Sequence, residues 1–250
     1  MPSSSLDFLP PVIAHRGAAA RAPENTLAAF EAAFDDGARW IETDVQLTSD
    51  GVPVLMHDDT LERTTSGRGS VAAMTWNEMQ RLDAGSWFSP AFSQARVPSL
   101  TQTLAFAAQR NMRLNLELKP GQGRAQVTAM VALIEVAKIW PDNAPPPLIT
   151  SFDLDALKVA AQMHPGWPRA LLLGDWREDW RELATTTQAS AVSINAALLT
   201  PERLATLRAT SVPILAYTVN DPAQARDMLK TGVNAVISDN PREILGELVL

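Results

Sequence analysis

LITSFDLDALKVAAQMHPGWPRALLL, residues 148–173, holds one complete β/α period and the strand that opens the next. The apolar run at 148–152 reads as a strand, the amphipathic stretch at 153–163 as a helix, and a second apolar run follows at 169–173. Further strands are expected at 191–195, 213–219 and 235–239, so the starts recur every 21 or 22 residues from 148 onward. Upstream, strands are expected at 12–15, 40–45 and 114–119, which brings the total to eight. Helices are expected at 26–34, 100–109, 126–138, 201–208, 222–230 and 241–248. Pro201, Pro222 and Pro241 each stand where a first helical turn accepts proline, since an N–H there would have no intrahelical partner. Eight β/α alternations in 250 residues predict a (β/α)8 TIM barrel, an α/β fold whose local pattern a doubly wound sheet would share.

The period is interrupted once. The second and third strand starts lie 74 residues apart, from Trp40 to Leu114. That interval contains a hairpin-like SDGVPVLMHDD, a TTSGRGS stretch and an aromatic SWFSPAF. It reads as a small insertion at about 48–99 on one rim of a single domain spanning 1–250. PDNAPPP at 141–147 is a stiff loop with no chemistry to offer.

With 46% hydrophobic and 20% charged residues, the composition is that of a globular protein and excludes disorder and collagen. A net charge of −7 without a basic run argues against nucleic acid as a partner, and weakly against anionic membranes. Zero cysteines exclude disulfides, thiol nucleophiles and thiolate metal sites, so a metal must be held by oxygen or histidine. The opening MPSSSLDFLPPV has neither the basic nor the apolar region of a secretory signal, and no segment approaches the roughly 18 apolar residues of a membrane span. The expectation is a cytoplasmic protein without stable membrane association.

Two of the three histidines, His15 and His57, directly follow apolar runs and stand beside charged residues. His15 would project from the C-terminal face, where barrel active sites are built. His164, after a helix, reads as structural. In WIETDV, Glu42 and Asp44 are two residues apart on a strand and share a face, with Ile41 and Val45 on the other. In NLELK the same alternation puts Asn115, Glu117 and Lys119 together, with the leucines toward the helices. Inward carboxylates repel unless a cation or proton compensates them. Glu42, Asp44 and Glu117 therefore point to a hard oxygen site for a divalent metal cation, Mg²⁺ or Ca²⁺. Arg16 and Lys119 bring positive charge to the same mouth. Metal, two cations and two histidines are what hydrolysis of a phosphate ester needs: charge on the non-bridging oxygens and groups to remove and donate a proton.

These residues resemble the glycerophosphodiester phosphodiesterase family in order and setting. The likeness runs through AHRG (14–17), PENTLAAF (23–30), IETDVQLTSDGVPVLMHDDTLERTT (41–65), LNLELK (114–119), Ser151-Phe152, YTVN (217–220) and ISDNP (237–241). It implies that His15 and His57 are the acid/base pair, that Glu42, Asp44 and Glu117 bind the metal, and that Arg16 and Lys119 face the phosphate. It also implies a small glycerophosphodiester substrate, such as glycerophosphocholine, cleaved to sn-glycerol 3-phosphate and an alcohol. Tyr217 replaces the family's usual tryptophan and Ser238 its commoner threonine, changes that touch substrate preference more than chemistry. Trp87 and Phe88, with Tyr217, are candidates for an aromatic pocket edge. Glu24 could touch the site, Asn25 reads as an N-cap, Asp58 could orient His57, and Asp239 could brace the last loop. Attack by water or by a neighbouring hydroxyl is left open. A lyase-like enzyme stopping at a cyclic phosphate and a non-catalytic binder are the rivals. The first calls for an apolar membrane-facing rim, and the second would be free to lose site residues, all of which are intact.

Overall fold

The computed structural model describes residues 9–249. In chain order the elements are β1 (Val12–His15), α1 (Leu27–Asp35), β2 (Trp40–Leu47), β3 (Pro53–Leu55), α2 (Trp76–Met79), α3 (Leu100–Gln109), β4 (Arg113–Leu118) and α4 (Ala125–Ile139). They continue with β5 (Leu148–Ser151), α5 (Leu154–Met163), β6 (Arg169–Leu173), α6 (Trp180–Thr186), β7 (Ala191–Asn195), α7 (Pro201–Arg208), β8 (Ile214–Tyr217), α8 (Pro222–Thr231), β9 (Ala235–Ser238) and α9 (Pro241–Val249). The strands pair in the order β1-β9-β8-β7-β6-β5-β4-β2, and β1 also pairs β2. All of these pairings are parallel, so the sheet closes into a (β/α)8 barrel and the doubly wound alternative falls. No helix among the described residues is long and apolar enough to cross a membrane.

Strand periodicity sorts the side chains. Ile13, Trp40, Leu148, Ala170, Ala191, Leu215 and Ala235 pack together as the inner layer. Residues of the opposite parity, such as Ile41, Leu114, Leu116 and Ile149, pack with helical residues in the outer layer. The helices start where short polar side chains can satisfy the free N–H groups of a first turn. Ser99 and Gln102 form a capping box on α3, Asp153 caps α5, and Thr200 and Asp221 cap α7 and α8 just before their prolines. The seven-residue α6 has no separate counterpart among the helices expected from periodicity, because it is too short to repeat an apolar stripe.

The long interval after β2 carries β3, α2 and two short 3₁₀ turns, packed around Val54, Met56, Leu61, Val71, Met79 and Val97. β3 runs antiparallel to the upper half of β2, pairing Val45 with Leu55 and Leu47 with Pro53. β1 pairs the lower half, with His15 opposite Glu42. β3 thus takes over the edge that β1 leaves, and the chain beyond it delivers His57 to the barrel mouth.

Gly17 lies where β1 gives way to the first loop, at φ +90°, and a Cβ there would stand 2.6 Å from the backbone C and O of Ala29. Both the left-handed backbone and the close approach require glycine. Gly17→Ala is expected to lower unfolding stability by about 2–5 kcal/mol. Urea denaturation followed by circular dichroism measures this, and an unchanged midpoint would refute the constraint.

Candidate active site

The three carboxylates meet because β2 and β4 pair in register, Glu42 opposite Asn115 and Asp44 opposite Glu117. One oxygen from each of Glu42, Asp44 and Glu117 lies within 4.8 Å of the others. Glu42 and Asp44 are only 4% and 1% exposed, so water does little to screen their repulsion. Burial, then Asp44 and Glu117, drive the Glu42 carboxyl well above its ordinary value. Burial and Asp44 push Glu117 up to about 8. Burial acts upward on Asp44 too, but Arg16, Lys119 and His57 outweigh it and hold that carboxyl below its ordinary value. Glu117 Oε1 is buried without a hydrogen-bond partner. An orphaned acceptor in an all-oxygen, buried trio fits a hard divalent cation.

The cations reach one member of the trio. Arg16 Nε stands 3.2 Å from Asp44 Oδ2 as an ion pair without hydrogen-bond alignment, and Lys119 Nζ lies 3.7 Å from Asp44 Oδ1. Arg16 also donates from Nη1 to Glu24 Oε1 at 2.8 Å, and its backbone N–H donates to Glu42 Oε2 at 3.2 Å. Its backbone sits at φ +53°, a left-handed conformation for a non-glycine residue beside the site.

Each site histidine is oriented by a carboxylate on Nδ1. His15 Nδ1 pairs with Asp239 Oδ1 at 2.6 Å, and its Nε2 lies 3.8 Å from Glu42 Oε2. His57 Nδ1 pairs with Asp58 Oδ1 at 2.6 Å. Burial holds the His57 imidazole below its ordinary value, with Asp44 acting against that and Arg16 with it. The loop bearing His57 is pinned from below, where the Gln46 amide donates to the Met56 and Asp58 carbonyls at 2.9 and 2.8 Å.

Several residues fall differently from the sequence reading. The N-cap of α1 is Thr26, whose hydroxyl accepts from the Ala29 N–H, and not Asn25. Asn25 instead donates to Asp44 Oδ2 at 2.8 Å and accepts from Thr43 Oγ1 at 2.6 Å, from a backbone at φ +55°. A residue directly before Thr in a capping position carries two readings, and only the fold separates them. Asp239 holds His15 directly as well as receiving the Asn220 amide. Arg63, within LERTT, carries no spacing signal in the sequence, yet it donates to both Asp58 oxygens and both Glu24 oxygens at 2.6–2.9 Å. Trp87 and Phe88 pack edge to face on one another, and Phe88 on Phe92, as a cluster within the insertion. Tyr217 lines the inner cavity with His15, Glu42 and Glu117, and its ring partner is Phe152. His164 stacks on Trp167 at the end of α5, the structural place expected of it.

Residues 15–243 match the sequence profile of the Glycerophosphoryl diester phosphodiesterase family. A glycerophosphodiester phosphodiesterase of Caldanaerobacter subterraneus is 31% identical over 240 residues, covering 94% of this chain and 96% of its own. One from Bacillus altitudinis is 32% identical over 233 residues, covering 92% and 94%. Among solved structures, a phosphodiesterase of Oleispira antarctica in complex with the product sn-glycerol-3-phosphate superposes with a TM-score of 0.96 at 35% identity, covering 99% of this chain and 100% of its own. The extent of these matches, with the same motifs gathered at one barrel mouth, establishes that the chain belongs to the glycerophosphoryl diester phosphodiesterase family.

Proposed function

We propose that this protein is a metal-dependent phosphodiesterase that hydrolyses glycerophosphodiesters, glycerophosphocholine among them, to sn-glycerol 3-phosphate and an alcohol. The observation that carries the reading is the pair of Asp-oriented histidines beside a buried carboxylate trio that has too few cations of its own. Glu42, Asp44 and Glu117 would hold the divalent ion, Mg²⁺ or Ca²⁺. When bound, such an ion neutralises phosphate charge and acidifies a coordinated hydroxyl.

The side chains divide the remaining work. Arg16 and Lys119 supply fixed positive charge where the phosphate oxygens gain negative charge in the transition state. Asp239 and Asp58 each anchor a ring through Nδ1, which leaves Nε2 of His15 and of His57 to handle the reacting protons. One ring takes the proton of the attacking oxygen and the other gives one to the departing alcohol. The proposed substrate is a small molecule, and the sequence features that argue for a cytoplasmic setting are in keeping with a soluble substrate.

The assay is release of glycerol 3-phosphate from glycerophosphocholine by chelator-stripped protein, with Mg²⁺ and Ca²⁺ restored separately. Turnover should return with one of these ions, and His15→Ala and His57→Ala should each lower kcat by about 10²–10⁴-fold with KM little changed. Full activity in either variant would refute the acid/base assignment. A second expectation concerns pH. Activity falls on the acid side as the base gains a proton and on the alkaline side as the acid loses one, so kcat/KM should be bell-shaped across neutral pH. The residual activity of His57→Ala should lack one limb, the acid limb if His57 is the base and the alkaline limb if it is the acid. A flat wild-type profile would count against both.

Metal-free protein offers a test that does not depend on turnover. The folded Glu117 carboxyl sits near about 8, against an ordinary 4.5, so the folded state holds its proton more tightly than the unfolded chain. That contribution to stability is complete below the unfolded value and is lost as pH rises through the folded one. The Tm of stripped protein should therefore decline between about pH 4.5 and 8. Saturating divalent ion should offset the decline, and Glu117→Gln should make it shallower, leaving the part that the raised Glu42 carboxyl contributes. A Tm that climbs over this window in stripped wild type and in Glu117→Gln alike would remove the carboxylate trio from the argument.

A further inference from the structure

Both site histidines lean on an aspartate through Nδ1, but the two aspartates are themselves held differently. Asp58 is gripped by the charged fork of Arg63. Asp239 is gripped by a neutral side chain, Asn220, in the loop after β8. Asn220 Nδ2 donates to Asp239 Oδ2 at 2.7 Å, while Asn220 Oδ1 accepts from the Asp239 backbone N–H at 2.8 Å and from Ser238 Oγ at 3.0 Å. These partners decide which way round the amide sits, because an N–H faces its oxygen and a carboxylate faces its nitrogen. Ser238 is fully buried, and its hydroxyl also accepts from the Asn240 N–H at 3.1 Å. The Asp239 carbonyl accepts from the Ala20 N–H at 3.0 Å, so every polar atom of Asp239 is engaged. Burial acts upward on the Asp239 carboxyl, but His15 and then Asn220 outweigh it and keep the group ionised below its ordinary value.

A carboxylate tied through one oxygen alone can still turn about its terminal bond, a broad torsion that does little to hold it. With Oδ2 tied to Asn220, any turn that carries Oδ1 away from His15 breaks a second charge-assisted bond. Asn220 is itself exposed, so its three bonds are not a by-product of core packing. From this geometry we infer that Asn220 is a positioning residue for the reaction, which acts through Asp239 to hold the His15 ring in the orientation that proton transfer requires. The inference rests on the acid/base reading of His15. It adds the side chain that sustains that reading from the neighbouring loop.

The test uses the metal-loaded full-length enzyme with Asn220→Asp and Asn220→Ala. The first keeps an acceptor for Ser238 and for the Asp239 N–H but turns the donor facing Asp239 Oδ2 into an oxygen; the second removes all three bonds without adding charge. Each should lower kcat for glycerophosphocholine by about 10-fold or more with KM little changed. In a His15→Ala background neither should cause a further fall, since a residue that acts only through the ring has nothing left to act on. Circular dichroism verifies that the variants fold. Unchanged kcat in both, or a loss as large without His15 as with it, would overturn the inference. With only three histidines in the chain, ring ¹⁵N signals can be assigned by single substitution, and Asn220→Ala should move the His15 Nδ1 signal while leaving those of His57 and His164 in place. If wild type releases no glycerol 3-phosphate, the hydrolysis reading fails and the ¹⁵N comparison decides alone: a displaced His15 signal supports the positioning role, and an unmoved one overturns it.

Discussion

The mutual repulsion of Glu42, Asp44 and Glu117 is the constraint around which the upper half of the barrel is organised. Three carboxylates within 4.8 Å of one another, two of them almost fully buried, cannot all be ionised without added positive charge. The protein's own cations settle only one of the three. Arg16 and Lys119 both lie against Asp44, which titrates low, while Glu42 and Glu117 titrate high. A fold that had simply buried a polar cluster for stability would distribute its arginine and lysine over all three. Here the compensation is left incomplete at Glu117, whose buried Oε1 has no donor. An incompletely compensated oxygen cluster costs stability in the bare protein and creates affinity for a dication, two consequences of one arrangement.

Holding such a cluster demands stiff surroundings, and the loops provide them through charge-assisted bonds added to the apolar packing of the insertion. A chain of contacts runs from His57 through Asp58 to Arg63, from Arg63 to Glu24, from Glu24 to Arg16, and from Arg16 to Asp44. It joins the loop after β1 to the insertion after β3, two segments with no strand pairing between them. Arg63 spends its donors on two carboxylates in a fork geometry, which fixes both and leaves little of it for substrate. The left-handed backbones of Arg16 and Asn25 fit the same account. Each bends the chain back so that a side chain can reach Asp44, and the surrounding bonds hold the strain.

How much of this was legible in the sequence follows from the range of each interaction. Alternation along a strand is a local rule, so Glu42, Asp44 and Glu117 could be assigned to one inward face from WIETDV and NLELK alone. The recurrence of strand starts every 21 or 22 residues was likewise enough to order the barrel after residue 148. Partners across 39 residues, such as Arg63 and Glu24, leave no periodic trace, and neither does the 224-residue separation of His15 from Asp239. The aromatic rim shows the same limit. The ring partners of Trp87 and Phe88 are one another and Phe92, close in sequence, whereas Phe152 meets Tyr217 because the barrel brings the ends of β5 and β8 to one rim.

The inner parity of the strands also explains why so costly a site is compatible with a stable fold. The strands that carry chemistry near their C-terminal ends carry apolar residues one or two inward positions earlier: Ile13 below His15, Trp40 below Glu42 and Asp44, Leu215 below Tyr217. A slip of one residue in β2 against β4 would turn Glu42 and Asp44 out among Leu114, Leu116 and Ile149 and bring Ile41 and Val45 in. Such a register would place charge in the apolar helix layer and remove the oxygen ligands at once. The apolar lower layer therefore does more than supply burial. By making every odd-residue slip unfavourable, it keeps Glu42, Asp44 and Glu117 on one inward face, and the geometry on which metal and substrate depend is specified in part by residues that touch neither.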